Sequence, residues 1–331
     1  MIEVKVKAQQ PNTSIIKTIL SIKEIGILIP LIIICIGTSV VNPAFAGIDN
    51  IINLLRSISI TAIGAVGMTF ILISGGLDLS VGSILGLSGM VTGYFLGIAQ
   101  MPMGISIILG LSAACIAGFL NGYIITAFSI PPLIVTLGMM NIARGVINVM
   151  SKGRPYSGFP DTFNTIGQGS FLGMPYSTYI ALVIILVAHF VLKYTVFGRC
   201  VTAIGGNEET ARVSGINIKK YKILNYILIA IFSGIAGIIM ASRLSTSQAN
   251  AGTGWEMTVI ASVVIGGTSM FGGSGTILGT VIGVAIMEVL SVSMTMLRID
   301  PYWQKIVVGT IIIVAVGIDT YRRNHVASGR G

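Results

Sequence analysis

Apolar runs long enough to cross a bilayer return along almost the whole chain, near residues 25–41, 51–73, 79–99, 104–127, 131–150, 177–196, 222–241, 256–269, 276–297 and 303–319. A helix rises about 1.5 Å per residue, so roughly 20 apolar residues match a hydrocarbon core about 30 Å thick. Inside lipid every backbone N–H and C=O must find a partner within the protein, which leaves helices as the economical spanning form. The fold class this predicts is an all-α integral membrane protein with about ten transmembrane helices. Its organisation is a cytoplasmic N-terminal segment at 1–24, one transmembrane domain at 25–319 and a cytoplasmic tail at 320–331. Only 9% of residues are charged, against about a quarter in soluble domains, which argues against a soluble enzyme.

Breaks between the runs fall at Gly, Pro, Asn and Ser clusters such as "NPAFAGIDN", "SGGLDL", "RLSTSQANAGTG" and "TSMFGGSG", where helices end. The first run, with lysines before it and "AFAG" after it, imitates a secretory signal. It is longer than the roughly 7 to 15 apolar residues of a signal core, so it reads as a retained helix. Cys35, Cys115 and Cys200 are odd in number and have no metal-like spacing, so they read as structural.

The net charge of +9 does not point to nucleic acid, because the bases cluster. With ten spans, both termini and the stretch at 197–222 share one side, which collects Lys5, Lys7, Lys17, Lys23, Arg199, Arg212, Lys219, Lys220, Lys222, Arg322 and Arg323. The other side keeps few, among them Lys152, Arg154 and Arg243. Positive charge marks the cytoplasmic face, so both termini are expected there in a multi-pass inner (plasma) membrane protein.

A candidate parallel internal repeat overlays "GGLDLSVGSILG" from Gly75 on "GGSGTILGTVIG" from Gly272, aligning Gly75, Gly76, Gly82 and Gly86 with Gly272, Gly273, Gly279 and Gly283. Small residues four apart let membrane helices approach closely. The run at 256–269 covers only about 21 Å as helix, so a short, broken or re-entrant span is expected there, and such spans sit near transport pathways. On 131–150, Asn141, Arg144 and Asn148 share a helical face; they line a solute pathway, or Arg144 snorkels to the outer interface. Glu288, midway along its run, faces either that pathway or a partner on another helix. Asp78 reads as a cap for the next helix and His189 as a packing residue.

The stretch "FGRCVTAIGGNEETARVSGINIKKYK" at 197–222 holds seven charged residues in an otherwise apolar chain. Asn207 can cap a helix, Glu208 and Glu209 suit its positive end, Arg212 can pair with Glu209, and Gly215 can stop it. A loop that merely joined two spans could be far shorter. No P-loop, H-E-x-x-H or G-x-S-x-G motif occurs, so no catalytic residue, metal site or cofactor is expected. A chain of this kind can be a stand-alone ion-coupled secondary transporter, for which Glu288 is the clear intramembrane carboxylate.

The segments "ISGGLDLSVGSILGLSG", "IPPLIVTLGMMNIARGV", "AIGGNEETARVSGIN", "AGTGWEMTVIASVVIGGTSMFGGSGTILGTVIG" and "DPYWQKIVVG" closely resemble the permease subunits of ribose-type ABC sugar importers. The resemblance runs from about residue 45 to 320 and implies a permease that moves ribose or a related monosaccharide. It also implies a cytoplasmic ABC ATPase, an extracytoplasmic sugar-binding protein, a second permease chain in a homodimer or heterodimer, and surrounding lipid; nucleic acid has no part. In that family the segment matching Glu209–Gly215 docks in the ATPase cleft. The implied coupling set here is Asn207, Glu208, Glu209, Ala211, Arg212 and Gly215. The chain departs from the family pattern at Thr258, where an acidic residue is usual, at "SVSMT" over 291–295, and at Glu288, where glycine is common.

Overall fold

The computed structural model describes residues 23–328; the expected segment at 1–24, except for its last two residues, and the lysines at 5, 7 and 17 lie outside them. Helix α1 (Lys23–Val41) leads through a 3-10 turn (Pro43–Ala46) into α2 (Ile48–Ile73). Then follow α3 (Val81–Gly93, closing in a π turn at Tyr94–Ile98), α4 (Met103–Phe128), α5 (Pro132–Ser151), α6 (Asp161–Gln168), α7 (Tyr176–Tyr194), α8 (Val196–Gly206) and α9 (Glu208–Val213). The chain ends with α10 (Ile218–Leu244), α11 (Trp255–Ile265), α12 (Ile277–Met296) and α13 (Pro301–Ser328). Each of the ten expected spans contains a helix. Eight are long and apolar enough to cross a membrane alone, while Leu28–Val41 and Trp255–Ile265 are shorter apolar helices. Two two-stranded antiparallel pairs, Tyr156–Ser157 with Thr246–Ser247 and Ser170–Phe171 with Met174–Pro175, stitch the loops at 152–175.

The interior is built on α2, α3 and α10. In α2 every residue from Ser59 to Ile73 is buried, and so is every residue of α3 from Val81 to Gly93. Helices buried on all sides need small residues where backbones meet. At Gly237 of α10, for instance, a Cβ would run into the Leu85 carbonyl of α3. Helices α4, α5 and α7 instead turn apolar faces outward, with Ile108, Val149 and Val183 exposed, as suits lipid or a second chain. Helix α1 packs on α12, where Thr38 donates to Ser293 Oγ at 2.9 Å and Asn42 to the Met296 carbonyl at 3.2 Å.

The span expected at 256–269 is a broken one. Past α10 the chain turns back along α3: Ser247 donates to the Gly89 carbonyl at 2.7 Å, and the carbonyls of Ala251 and Gly252 lie against Gly86 and Gly82. Only then does α11 begin, with the Trp255 ring seated on Gly64 in mid-α2. Its 11 residues rise about 16 Å, half a hydrocarbon core. It stops at Gly266 and Gly267, the latter at φ +85°, a conformation that costs glycine little.

Candidate coupling surface and translocation path

The charged stretch folds into two short helices. Thr195 caps α8, accepting the Gly198 N–H at 3.4 Å. The apolar side of α8 places Val201 in a cluster with Phe70 and Ile73 of α2 and Ile277 of α12. Asn207 ends α8 and caps α9, its Oδ1 accepting the Thr210 N–H at 2.8 Å. Glu208 and Glu209 fill the first turn of α9, where the helix end is positive. Arg212 contacts Glu209 at 2.9 Å and Glu208 at 3.7 Å, and Lys222 reaches Glu208 at 2.6 Å. These exposed pairs contribute little energy but fix the orientation of the side chains. Ala211 is buried against Ile204 and Ile218. Gly215 closes the helix at φ +82° while the Ile216 N–H returns to the Ala211 carbonyl at 3.1 Å, a left-handed stop. The six coupling residues of the sequence analysis thus lie on one self-braced turn, beside a cavity of ≈ 550 Å³ bounded by Glu208, Arg212 and Lys222 on one side and Ser129 and Pro131 of the α4–α5 turn on the other.

Beneath that surface lies a contact the sequence reading missed. The Gly273 N–H, in the turn after α11, donates to the carbonyl of Ile73, the last residue of α2, at 2.8 Å. Gly205, in the last turn of α8, lies flat on this junction. A Cβ there would collide with the Ile73 carbonyl oxygen and stand 2.7 Å from Gly273 N. One glycine therefore touches both aligned glycine-rich turns at once. The Gly205–Gly206 pair inside a charged block was the available signal, though nothing local says what it meets.

The proposed polar stripe on α5 separates in space. Arg144 donates from Nη1 to the carbonyls of Ala249 and Ala251 at 2.8 and 2.9 Å. The sequence reading did not foresee this contact: the guanidinium satisfies backbone oxygens that the broken span leaves outside any helix. Asn148 is exposed and joins Arg144, Gln248, Asn250 and Thr253 around a depression of ≈ 640 Å³. Asn141 is exposed elsewhere, its amide returned to the Leu137 carbonyl at 2.9 Å. Glu288 of α12 faces an interhelical partner: the Thr61 hydroxyl donates to its Oε1 at 2.6 Å, and Trp255 Nε1 donates to Thr61 Oγ1 at 3.4 Å. Arg243 lies close enough to act on Glu288 electrostatically and donates to Ser57 Oγ at 3.1 Å. Asp78 does not cap α3 directly; it bonds the Ser80 N–H one residue ahead of that helix and is fully buried. The depression and the charged stretch lie at opposite ends of α10, whose 27 residues extend about 40 Å.

A bundle of membrane-length helices with a broken span at its centre, a charged two-helix surface at one end and a polar depression at the other defines a multi-pass membrane permease. Residues 50–316 match the family described as branched-chain amino acid transport system / permease component, and the chain belongs to that family. It is 40% identical to the ribose import permease protein of Haemophilus influenzae over 88% of this chain and 92% of that one. With the ribose import permease protein of Bacillus subtilis it shares 38% over 90% and 92% of the two chains. An L-arabinose ABC transporter permease protein of Azospirillum brasilense is 36% identical over 92% and 89%. No solved structure matches the chain. The chain is thus a transport subunit and not an enzyme, of a class that works with an ATPase and a binding protein, and the stand-alone secondary transporter falls away.

Proposed function

We propose that this chain is the inner-membrane permease of an ABC importer for ribose or a closely related monosaccharide. In this reading two permease chains pair, both termini face the cytoplasm, α9 docks in a partner ATPase, and a sugar-binding protein delivers its load to the opposite end. The observation that carries the reading is the seating of α8 and α9: a self-capped charged helix joined, through Gly205, to the end of α2 and to the turn between α11 and α12. A push on α9 is passed through α8 to the end of α2 and to the turn that follows the broken span, and coupling needs such a differential contact. The names and near-full coverage of the ribose and arabinose relatives support the sugar class. The depression around Arg144 and Asn148, walled by Gln248, Asn250 and Thr253, offers amides and hydroxyls suited to a neutral sugar, and we place the outer mouth of the path there. Asn141 is assigned to the same path at the face between two chains, and Glu288 to its buried wall.

Gly215→Glu tests this. It strains a left-handed position by about 1 kcal/mol and alters the docking face without touching the membrane interior. ATP-driven uptake into vesicles carrying the whole importer should be lost, while sugar capture by the binding protein and ATP binding by the ATPase stay unchanged. Full uptake in this variant, or wild-type uptake without any ATPase, overturns the coupling assignment. Thermal shifts of the binding protein against a sugar panel identify the cargo.

A further inference from the structure

Two buried side chains at the α2–α3 turn serve neither the coupling surface nor the path proposed above. Asp78 is fully buried, and its Oδ1 accepts the Ser80 N–H at 2.8 Å and the Ser80 hydroxyl at 2.5 Å. Asn121 of α4, also fully buried, donates from Nδ2 to Ser80 Oγ at 2.9 Å. There the chain of donors stops, because Asp78 Oδ2 and Asn121 Oδ1 are both buried without a protein partner. Tyr226 of α10 spends its hydroxyl on the Leu77 carbonyl at 3.2 Å, and the amide of neighbouring Asn225 is buried with both its atoms unpartnered. Among the described residues the groups that act on the Asp78 carboxyl are Ser80 and Asn121, with Tyr226 as its titratable neighbour; no lysine, arginine or histidine compensates its charge.

An ionised carboxylate with one bare oxygen and no counter-charge is among the costliest groups to bury, and it commonly resolves the conflict by taking a proton. A proton on Oδ2 turns an atom that lacks a donor into a donor. Asn121, whose side chain acts on the Asp78 carboxyl, carries the other unpartnered oxygen, Oδ1, and a proton shared between the two would serve both. Burial lifts the Asp78 carboxyl to about 6, against the lowering effect of the Ser80 and Asn121 hydrogen bonds.

We propose that Asp78 is a proton-binding site of this permease, and that the protonated carboxyl ties the α2–α3 turn to α4 through Asn121. When the proton leaves, only water can solvate the exposed charge, so the turn must admit it. This turn follows Ile73 directly, hence proton release loosens one side of the junction on which Gly205 rests.

The test is an infrared pH titration of the complete permease in lipid discs, comparing wild type with Asp78→Asn, which copies the protonated shape and cannot titrate. The wild-type protein should show a protonated-carboxyl stretch that disappears as pH rises through about 6, and the variant should lack that component. Cysteine at Gly76 should react with a maleimide several-fold faster above that pH in the wild-type background and at one rate throughout in Asp78→Asn. Should Asp78→Asn fail to fold, Asp78→Glu retains a carboxyl and should move the midpoint. Identical pH-difference spectra in wild type and Asp78→Asn, an unmoved midpoint in Asp78→Glu, or a wild-type spectrum that answers to sodium at fixed pH and not to protons would each overturn the assignment.

Discussion

In the first glycine-rich copy, Gly82 and Gly86 sit beneath the carbonyls of Gly252 and Ala251, whereas in the second Gly279 and Gly283 sit beneath those of Gly266 and Ser262. All four carbonyls belong to the one broken span. The first copy receives its non-helical first half and the second its helical half, α11. The turns that open the two copies meet at one residue, since α2 ends against Gly205, and Gly272 and Gly273, in the turn between α11 and α12, lie on it as well. Their turns differ in kind. The first is sealed around Asp78 and Ser80, while the second is half-open and tied to α13 by a 2.9 Å bond from Ser269 to Asp319. A shared glycine spacing is therefore a pair of seats for a third element, and the residues between the glycines decide how tightly each seat is closed.

The comparison breaks first at the point common to both copies. Gly205→Ala places a methyl on the Ile73 carbonyl, where only backbone can yield; overpacking of this order costs about 1 to 3 kcal/mol. It should give the largest loss of folded, detergent-soluble permease, read by size-exclusion yield and thermal stability. Next comes the contrast between the seats. A Cβ on Gly283 would meet the Ser262 carbonyl and lie 2.8 Å from Gly266 N, while a Cβ on Gly86 would lie 2.8 Å from the Ala251 carbonyl and otherwise meet side-chain ends. Gly283→Ala should therefore destabilise more than Gly86→Ala, which should cost under about 2 kcal/mol. Equal melting temperatures for the two would mean that the seats do not differ.

Arg144→Met removes the donor from the Ala249 and Ala251 carbonyls of the non-helical half and should cost about 1 to 3 kcal/mol. Its signature is local: faster labelling of a cysteine at Asn250, with no change at one placed in α12. The smallest effect belongs to Ser269→Ala, which deletes the half-exposed bond to Asp319 and the acceptor of the exposed Phe271 N–H, about 0.5 to 1.5 kcal/mol. A melting shift larger than that of Arg144→Met would reverse the ranking of the two contacts.

The ten helical segments were legible because hydrophobic length is a local property. So was α9, since its cap, acidic first turn and terminal glycine are all read within nine residues. The shortness of α11 was visible from its length, but not what held the rest of its span. That answer lay in Arg144, more than 100 residues away on another helix. Asp78 misled for the same reason. Asx residues before a helix usually cap it, and only the closure of α4 and α10 over the turn shows that this one is buried. Gly205 was the least legible, because its neighbours come from residues 73 and 273 and no periodicity connects them.

The bond between Gly273 and Ile73 has a meaning for how the chain is made. The ribosome adds about 5 to 20 residues per second, so the 200 residues separating the two partners take about 10 to 40 s to synthesise. For that interval the end of α2 already stands in the membrane with its carbonyl unclaimed, and α8 arrives to find half of its resting place missing. The junction can close only after eight of the ten spans have been made, so a stalled or shortened chain should expose an unfinished helix end to the quality-control proteases of the membrane.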